Sequence, residues 1–239
     1  NFAGEIVAVV AARSRNEAQD ALEAIEVDYD PLPAVIDMAE AVKDGADLVH
    51  PNTESNIIYK WEFESGAAGS GEPIQQALDN AEVTVKRRFI QQRLIPAFME
   101  PRATVVQPSK DGVTMWTATQ IPHILRTLLG VTLGIEEHKI RVIAPDVGGG
   151  FGGKIAVMPE EVLCTLVARA LNKPVKWNES RSESLLSAHH GRDQIQDITI
   201  TATRDGTLTG LDVHLLADMG AYLRLVTPGV PILGAFMYN

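Results

Sequence analysis

The sequence predicts an α+β fold, in which helices and antiparallel strand pairs follow each other without a regular alternation. Two Asp-Gly pairs, Asp111-Gly112 and Asp205-Gly206, each lie between two strand-like segments, which is a strong signal for a β-hairpin. Between the hairpins, helical patterns of apolar residues begin at Pro122 and after Pro159. Hairpins on both sides of these helices disfavour a regularly alternating parallel sheet.

The first fifty residues predict a smaller α/β unit. Glu5–Ala12 is rich in valine and isoleucine and predicts a strand. Ser14 and Glu17 have the spacing of a helix capping box, and apolar residues follow at helical spacing. Val27 and Tyr29 then alternate with acidic residues as a second strand. A strand, a helix and a strand also make a generic βαβ unit, so this part alone indicates no chemistry.

The predicted division of the chain is a first unit at 1–50, a linker at 51–73 and a second domain at 74–239. The linker is rich in glycine and poorly patterned. Trp61 and Phe63 alternate with charged residues there and predict a short strand.

Periodicity predicts most elements of the second domain. In chain order they are a helix at 77–78, a strand at 83–89, the first hairpin at 102–117, a helix from 122, a strand at 140–144, a helix at 160–171, a strand at 175–177 and the second hairpin at 195–217. Residues 187–194 are predicted as a loop that holds His189 and His190. Because neighbouring side chains point apart on a helix or a strand, these two histidines chelate one metal poorly.

Composition narrows the function classes. The chain has 239 residues, 45% of them hydrophobic, and a net charge of −10, which disfavours nucleic acid and anionic membranes as partners. The single cysteine, Cys164, is predicted to be a core residue, and one thiol cannot hold an iron–sulfur cluster. No apolar run approaches a membrane span. Because the chain opens at Asn1 inside a strand-like run, we expect it to be an internal piece of a longer polypeptide.

The chain is organised around a glycine run at 148–153, interrupted only by Phe151 and followed by Lys154. Bare backbone N–H groups in such a run usually contact an anionic cofactor. The run follows the strand predicted at 140–144, so it lies at a strand's exit. Phe151 and the apolar flanks favour a packed loop over a flexible linker.

Three known patterns fit this run. Gly148–Lys154 has P-loop spacing, but Ile155 stands where a P-loop has Ser or Thr. The run also fits a dinucleotide fingerprint, with Glu179 after the next helix and strand, although that helix begins only at Pro159. The third pattern, Gly-Gly-Phe-Gly-Gly-Lys, resembles the molybdenum-cofactor loop of the xanthine dehydrogenase and aldehyde oxidase family, the molybdenum hydroxylases.

The resemblance covers essentially the whole chain, and it is strongest to large subunits of the aerobic carbon monoxide dehydrogenase type. Residues 1–50 are similar to the end of the α/β hammerhead domain of this family. The rest is similar to the first part of the molybdenum-cofactor-binding domain, which has mixed and antiparallel sheets. Besides the glycine loop, the matching segments are Arg93-Leu94-Ile95-Pro96, Met99-Glu100-Pro101-Arg102, Thr119-Gln120-Ile121-Pro122-His123, Pro174-Val175-Lys176-Trp177, His190-Gly191-Arg192-Asp193 and Ala217-Asp218-Met219-Gly220-Ala221-Tyr222.

The resemblance implies a molybdenum–pyranopterin cofactor, in the form of molybdopterin cytosine dinucleotide. In this family a glutamine amide and a backbone N–H of the glycine loop donate to an oxo ligand of the metal. The matching positions are Gln120 and Phe151, and no residue here is expected to bind the metal directly. The implied cofactor-binding residues are Gln120, Gly149, Gly150, Phe151, Gly152 and Gly153. Without the resemblance, Gln120 is better explained as a helix-cap contact.

The implied activity is hydroxylation of a carbon centre with oxygen from water, on carbon monoxide, an aldehyde or an N-heterocycle. Copper is expected only for the carbon monoxide type. Ile155 replaces a glutamate of purine-oxidising members, which disfavours xanthine. The general-base glutamate is expected beyond Asn239, so the piece alone should be inactive.

The implied partners are an FAD-binding medium subunit and a 2Fe–2S small subunit, in a dimer of heterotrimers. The expected location is the cytoplasm, with membrane association only through partners. Two alternatives stay open: a nucleotide-binding α/β protein that uses the Gly148–Gly153 loop, and a non-catalytic assembly or storage module with the same fold.

Overall fold

The computed structural model describes residues 1–62 and 74–237. It contains two separate sheets together with helices, which confirms the predicted α+β class. None of the described helices combines the length and the apolar character needed to span a membrane. The helices are α1 (Arg15–Glu23), α2 (Met38–Ala41), α3 (Ile74–Asp79), α4 (Pro122–Leu133), α5 (Pro159–Leu171), α6 (Arg181–Ser187) and α7 (Gly229–Met237). The strands are β1 (Val83–Leu94), β2 (Ala103–Pro108), β3 (Val113–Thr117), β4 (Ile140–Ile143), β5 (Val175–Asn178), β6 (Gly191–Ala202) and β7 (Leu208–Ala217).

The chain divides into two compact units that each join segments distant in sequence. Unit 1 contains Asn1, Pro33–Leu94 and His190–Asn239, and unit 2 contains Phe2–Leu32 and Ile95–His189. The predicted domain boundaries near residues 50 and 73 stay a prediction. Residues 63–73 of the predicted linker, with Phe63, lie outside the described residues.

Unit 1 contains an antiparallel sheet in the order β1-β6-β7. The long strand β1 pairs with β6 from Val83 opposite Ala202 to Leu94 opposite Gly191. Strands β6 and β7 form the predicted second hairpin, in which Gly206 has a φ of +93°, a conformation that glycine adopts at low cost.

Unit 2 contains a mixed sheet in the order β4-β3-β2-β5. Strand β2 is antiparallel to both β3 and β5, whereas β3 and β4 are parallel and are connected through α4. Helices α4 and α5 cover this sheet and enclose a core that includes Cys164, as predicted. The buried core residues are Val106, Val113, Met115, Leu125, Leu129, Ile135, Ile140, Cys164 and Ala168.

Part of the predicted N-terminal unit is confirmed and part is wrong. Helix α1 begins as predicted, since Ser14 Oγ accepts from Glu17 N at 3.3 Å. The strands predicted at Glu5–Ala12 and at 27–29 are not formed. A strand needs a neighbour to satisfy its backbone groups, and no described strand pairs with either segment, so the apolar residues there stay mostly exposed.

The loop predicted at 187–194 is present but shorter, at residues 188–190 with His189 and His190, because a helix and a strand take up its two ends. Helix α6 ends at Ser187, and its start is fixed by a capping box between Ser180 and Glu183. Strand β6 begins at Gly191, because pairing with β1 extends the strand beyond its apolar pattern. Helices α6 and α7 were not predicted.

Candidate functional site

Gln120 and the glycine loop (residues 148–153) meet at one edge of the unit 2 sheet. Gln120 lies between β3 and α4, three residues after the end of β3, and the glycine loop lies between β4 and α5. Because β3 and β4 are parallel neighbours, their carboxyl ends lie at the same edge. In sheets with parallel strands this edge commonly binds ligands. The topology therefore brings together two segments that are about thirty residues apart.

The centre of the glycine loop is a tight turn. Gly153 N donates to Gly150 O at 2.7 Å, and the two residues between them have positive φ, +48° for Phe151 and +86° for Gly152. Two positive φ values in succession are typical of a type I′ turn. For a non-glycine residue this conformation is strained, and such strain is concentrated at functional sites.

The prediction of a packed loop is confirmed, but Phe151 is not the residue that packs it. Its side chain is 78% exposed, because the turn carries it away from the core. The loop is nevertheless packed: Gly150, Gly153 and Lys154 are buried. The aromatic ring that packs against it is that of Phe98, which is fully buried.

Gln120 is hydrogen-bonded to the loop through both its side chain and its backbone. Gln120 Oε1 accepts from Gly152 N and from Lys154 N, each at 3.2 Å. Gln120 N donates to Lys154 O at 3.0 Å. Since both side-chain partners are N–H donors, the oxygen must face the loop, and the amide nitrogen is directed elsewhere. Among the described residues, neither Gln120 Nε2 nor Phe151 N has an acceptor.

Three glycines of the loop are required by close contacts. A Cβ on Gly150 would lie 2.6 Å from Gln120 Cδ, one on Gly153 would lie 2.7 Å from Phe98 Cε1, and one on Gly148 would lie 2.6 Å from Glu100 Cβ. Real Cβ atoms do not approach so closely. The glycines therefore let the main chain pack against Gln120 on one side and against the 96–100 segment on the other.

Lys154 is buried and paired, although it follows the glycines as a P-loop lysine would. Its side chain is 0% exposed, and Lys154 Nζ donates to Glu100 Oε2 at 2.9 Å. The same Nζ lies 4.7 Å from the centroid of the Phe98 ring, a cation–π contact. Glu100 Oε2 also accepts from Gly148 N at 2.8 Å. Burial acts to raise the pKa of Glu100, but the bonds from Lys154 and Gly148 outweigh it and hold that pKa below its ordinary value.

Glu179, the acidic residue of the dinucleotide pattern, is not available to a ligand either. Its carboxylate is buried and accepts from Arg102 N and Arg102 Nε, each at 2.9 Å. Arg102 also forms a two-pronged ion pair with Glu160, at 3.0 Å for each bond. With Lys154 and Glu179 both engaged, the geometry disfavours the two nucleotide-binding patterns.

Glu161 is the third carboxyl group close to Arg102, and it is buried. It accepts from Thr117 Oγ1 at 2.8 Å and from Met158 N at 2.9 Å. Burial raises the pKa of Glu161 to about 7, although both hydrogen bonds and the Arg102 charge favour its ionised form. Burial and the nearby carboxylates likewise raise the pKa of Cys164 to about 12, so its thiol is a poor nucleophile.

The structure brings together Gln120 and the glycines, whose cofactor-binding role stays a prediction. The contacts of Glu100, Phe98 and Lys154 with this loop were not predicted. Glu100 lies in one of the matching segments, and Lys154 is part of both the P-loop pattern and the Gly-Gly-Phe-Gly-Gly-Lys pattern. The pairing of these two residues across 54 positions has no local signal in the sequence.

The loop of bare glycines follows a strand, is hydrogen-bonded to a glutamine and is held by an ion pair on its buried side. This arrangement defines an α+β cofactor-binding domain. The chain belongs to the molybdopterin cofactor-binding domain family, whose model matches residues 49–239.

Curated relatives and solved structures agree with this assignment. The chain is 35% identical to the carbon monoxide dehydrogenase large chain of Afipia carboxidovorans, over 95% of this chain and 29% of that relative. It is 34% identical to the nicotine 6-hydroxylase large subunit of Paenarthrobacter nicotinovorans, over 92% of this chain and 26% of that relative. Among solved structures, quinoline 2-oxidoreductase from Pseudomonas putida 86 superimposes with a TM-score of 0.85 at 36% identity, over 94% of this chain and 28% of that one. The chain thus spans under a third of each of these proteins.

Proposed function

We propose that this chain is part of the molybdenum-cofactor-binding subunit of an oxidoreductase that hydroxylates a carbon centre with oxygen from water. The observation that carries the proposal is the bonding of Gln120 Oε1 to Gly152 N and Lys154 N. This bonding orients the amide, so that Gln120 Nε2 and Phe151 N–H remain as donors at one edge of the sheet. Fixed neutral donors of this kind suit an oxygen ligand on a metal, because they hold it without reorganising.

The residues present fit such a cofactor. Gln120 Nε2 and Phe151 N–H would hold the oxygen ligand, and Gly149, Gly150, Gly152 and Gly153 keep the loop free of side chains beside it. When bound, the molybdenum cofactor would supply a metal-activated oxygen and accept the two electrons of the oxidation. This chain's own residues orient the cofactor through neutral hydrogen bonds, and the buried Lys154 adds no free cation to the loop surface.

The proposed substrate is a small molecule: an N-heterocycle, an aldehyde or carbon monoxide. Relatives named for nicotine and quinoline support an N-heterocycle, and the relative named for carbon monoxide supports that substrate. Copper is proposed only for the carbon monoxide type. The side chain of Ile155, half-buried beside the loop, offers no hydrogen bond to a purine, which disfavours xanthine.

The proposal extends to the parts that this chain does not contain. The cofactor would be the cytosine dinucleotide form, and a general-base glutamate would lie beyond Asn239. Electrons would leave through an FAD-binding medium subunit and a 2Fe–2S small subunit, in a dimer of heterotrimers in the cytoplasm. Residues 1–50 would end a hammerhead domain, 51–73 would be a linker, and 74–239 would begin the molybdopterin domain.

Metal analysis of the intact complex tests the proposal. We expect about one molybdenum per large subunit when the host supplies the complete cofactor. A complex without molybdenum under that condition would refute the proposal. Isothermal titration with NAD and with ATP is the counter-test, and tight binding of either would favour the nucleotide alternative at Gly148–Gly153.

A further inference from the structure

One carboxylate oxygen joins the two ends of the glycine loop. Glu100 Oε2 accepts from Gly148 N, the first glycine, at 2.8 Å and from Lys154 Nζ, just after the last glycine, at 2.9 Å. Glu100 N also donates to Gly148 O at 3.2 Å, so Gly148 is held in both directions. These contacts hold together the two ends of the loop, which we call its neck (Gly148 and Lys154), on the side opposite to its exposed turn.

Lys154 connects this neck to Gln120. Its backbone N donates to Gln120 Oε1 and its backbone O accepts from Gln120 N, whereas its side chain donates to Glu100. Among the described residues, Glu100 is the one acidic side chain within ion-pair distance of Lys154. A fully buried ammonium depends on such a partner, because desolvation penalises an unpaired charge heavily.

We propose that Glu100 and Lys154 are positioning residues of the cofactor site. The pair fixes both ends of the glycine loop, and through the backbone of Lys154 it also fixes the amide of Gln120. Neither residue contacts the cofactor in this proposal. They act by holding Phe151 N–H and Gln120 Nε2 in fixed positions relative to each other. The inference rests on the proposed function where it concerns the cofactor, whereas the ordering of the loop can be tested without it.

The test uses the intact protein and three variants. Glu100→Gln keeps an acceptor for Gly148 N but leaves Lys154 without a counter-charge. Lys154→Met removes the buried charge with a side chain of similar length, and the double variant removes the pair altogether. The control is Glu136→Gln, which breaks an exposed Lys–Glu pair of 2.7 Å in the same unit, away from the loop.

The first readout is hydrogen exchange of the peptide that contains residues 147–155. We expect exchange about tenfold faster in Glu100→Gln, the size expected for losing a charge-assisted hydrogen bond. The double variant should recover part of this protection, because it no longer buries an unpaired ammonium. The Glu136→Gln control should match the parent. Unchanged exchange in Glu100→Gln, or a double variant whose loop exchanges as fast as that of Glu100→Gln, would overturn the proposal.

The second readout is the molybdenum content and the Mo(V) electron paramagnetic resonance signal. We expect Glu100→Gln to retain several-fold less molybdenum and to show a shifted signal in the retained fraction, with the control unchanged. If the parent contains molybdenum and Glu100→Gln has the same molybdenum content and the same signal, the positioning role is overturned but the proposed function is not. A parent without molybdenum would refute the proposed function, and hydrogen exchange would still decide whether the pair orders the loop.

Discussion

Alanine at Gly150 and at Gly153 should have opposite consequences, although the two residues form the same turn. At Gly153 the new Cβ would lie 2.7 Å from Phe98 Cε1 and 2.7 Å from Pro96 Cγ. Phe98 is fully buried, so neither ring can move without disturbing the core. Overpacking of this kind costs about 1–3 kcal/mol of unfolding free energy.

At Gly150 the Cβ would meet the end of the Gln120 side chain, which is exposed and can turn into solvent. The two bonds from Gly152 N and Lys154 N to Gln120 Oε1 would be lost, at a net cost of about 1 kcal/mol each before water replaces part of them. Because the flexible end of the Gln120 side chain can move aside and water can replace its oxygen, the variant should lose under about 1 kcal/mol, less than Gly153→Ala. However, it should lose the oriented amide and with it most of the bound molybdenum.

The assay is chemical denaturation of the cofactor-free protein together with metal analysis of protein made with a full cofactor supply. Gly153→Ala should unfold earlier, and Gly150→Ala should unfold near the parent but hold several-fold less molybdenum. Gly191→Ala, where the new Cβ would meet no atom within 4 Å and φ is not positive, controls for the loss of a glycine alone. The reasoning is refuted if Gly150→Ala keeps its molybdenum or if Gly153→Ala is as stable as the parent.

Three further predictions concern buried carboxyl groups and the amide. The pKa of Glu161 is raised from 4.5 to about 7 in the folded state, so folding takes up a proton between these values, and stability should fall as pH rises across this window. Denaturation at several pH values should therefore show that the unfolding free energy of Glu161→Gln rises relative to that of the parent up to pH 7, by on the order of 3 kcal/mol. A difference that does not change with pH would contradict this. Arg102→Met should lower the unfolding free energy by about 3–5 kcal/mol in a denaturant titration, because it leaves the buried carboxylate of Glu179 without its ion-pair partner. Arg126→Met, which breaks an exposed pair, should lose under about 1 kcal/mol, and equal losses would show that burial is not decisive. Gln120→Glu keeps oxygen acceptors for the loop but has no amide donor. Hydrogen exchange of the loop should therefore stay near that of the parent, whereas the hydroxylation activity of the intact complex should fall about 100-fold. Full activity would rule out the donor role.

Elements with a local cause could be predicted from the sequence. The hairpin turns have Asp-Gly pairs, α1 has Ser14 as its N-cap residue, and α4 and α5 each begin at a proline. Helix α6 has a full capping box, at Ser180 and Glu183, and could have been found by that signal.

Features that depend on distant partners could not be predicted. The valine-rich segment at Glu5–Ala12 has the composition of a strand, but a strand forms only where another strand accepts its hydrogen bonds. The same limit applies to the site. The glycines stand out as a local pattern and Gln120 was indicated by the family resemblance, whereas the ion pair of Glu100 with Lys154 depends on how the 96–100 segment packs behind the loop.

The position of the lysine charge distinguishes this loop from phosphate-binding loops with the same glycines. A phosphate site combines bare N–H groups with a free lysine, because a multiply charged ligand needs a cation. Here the lysine is withdrawn beneath the loop, placed over Phe98 and neutralised by Glu100. The exposed side of the loop then presents an amide and a backbone N–H without a formal charge. Such a surface favours a single oxygen acceptor whose charge is largely balanced by its own metal, and it gives a polyphosphate little advantage over water.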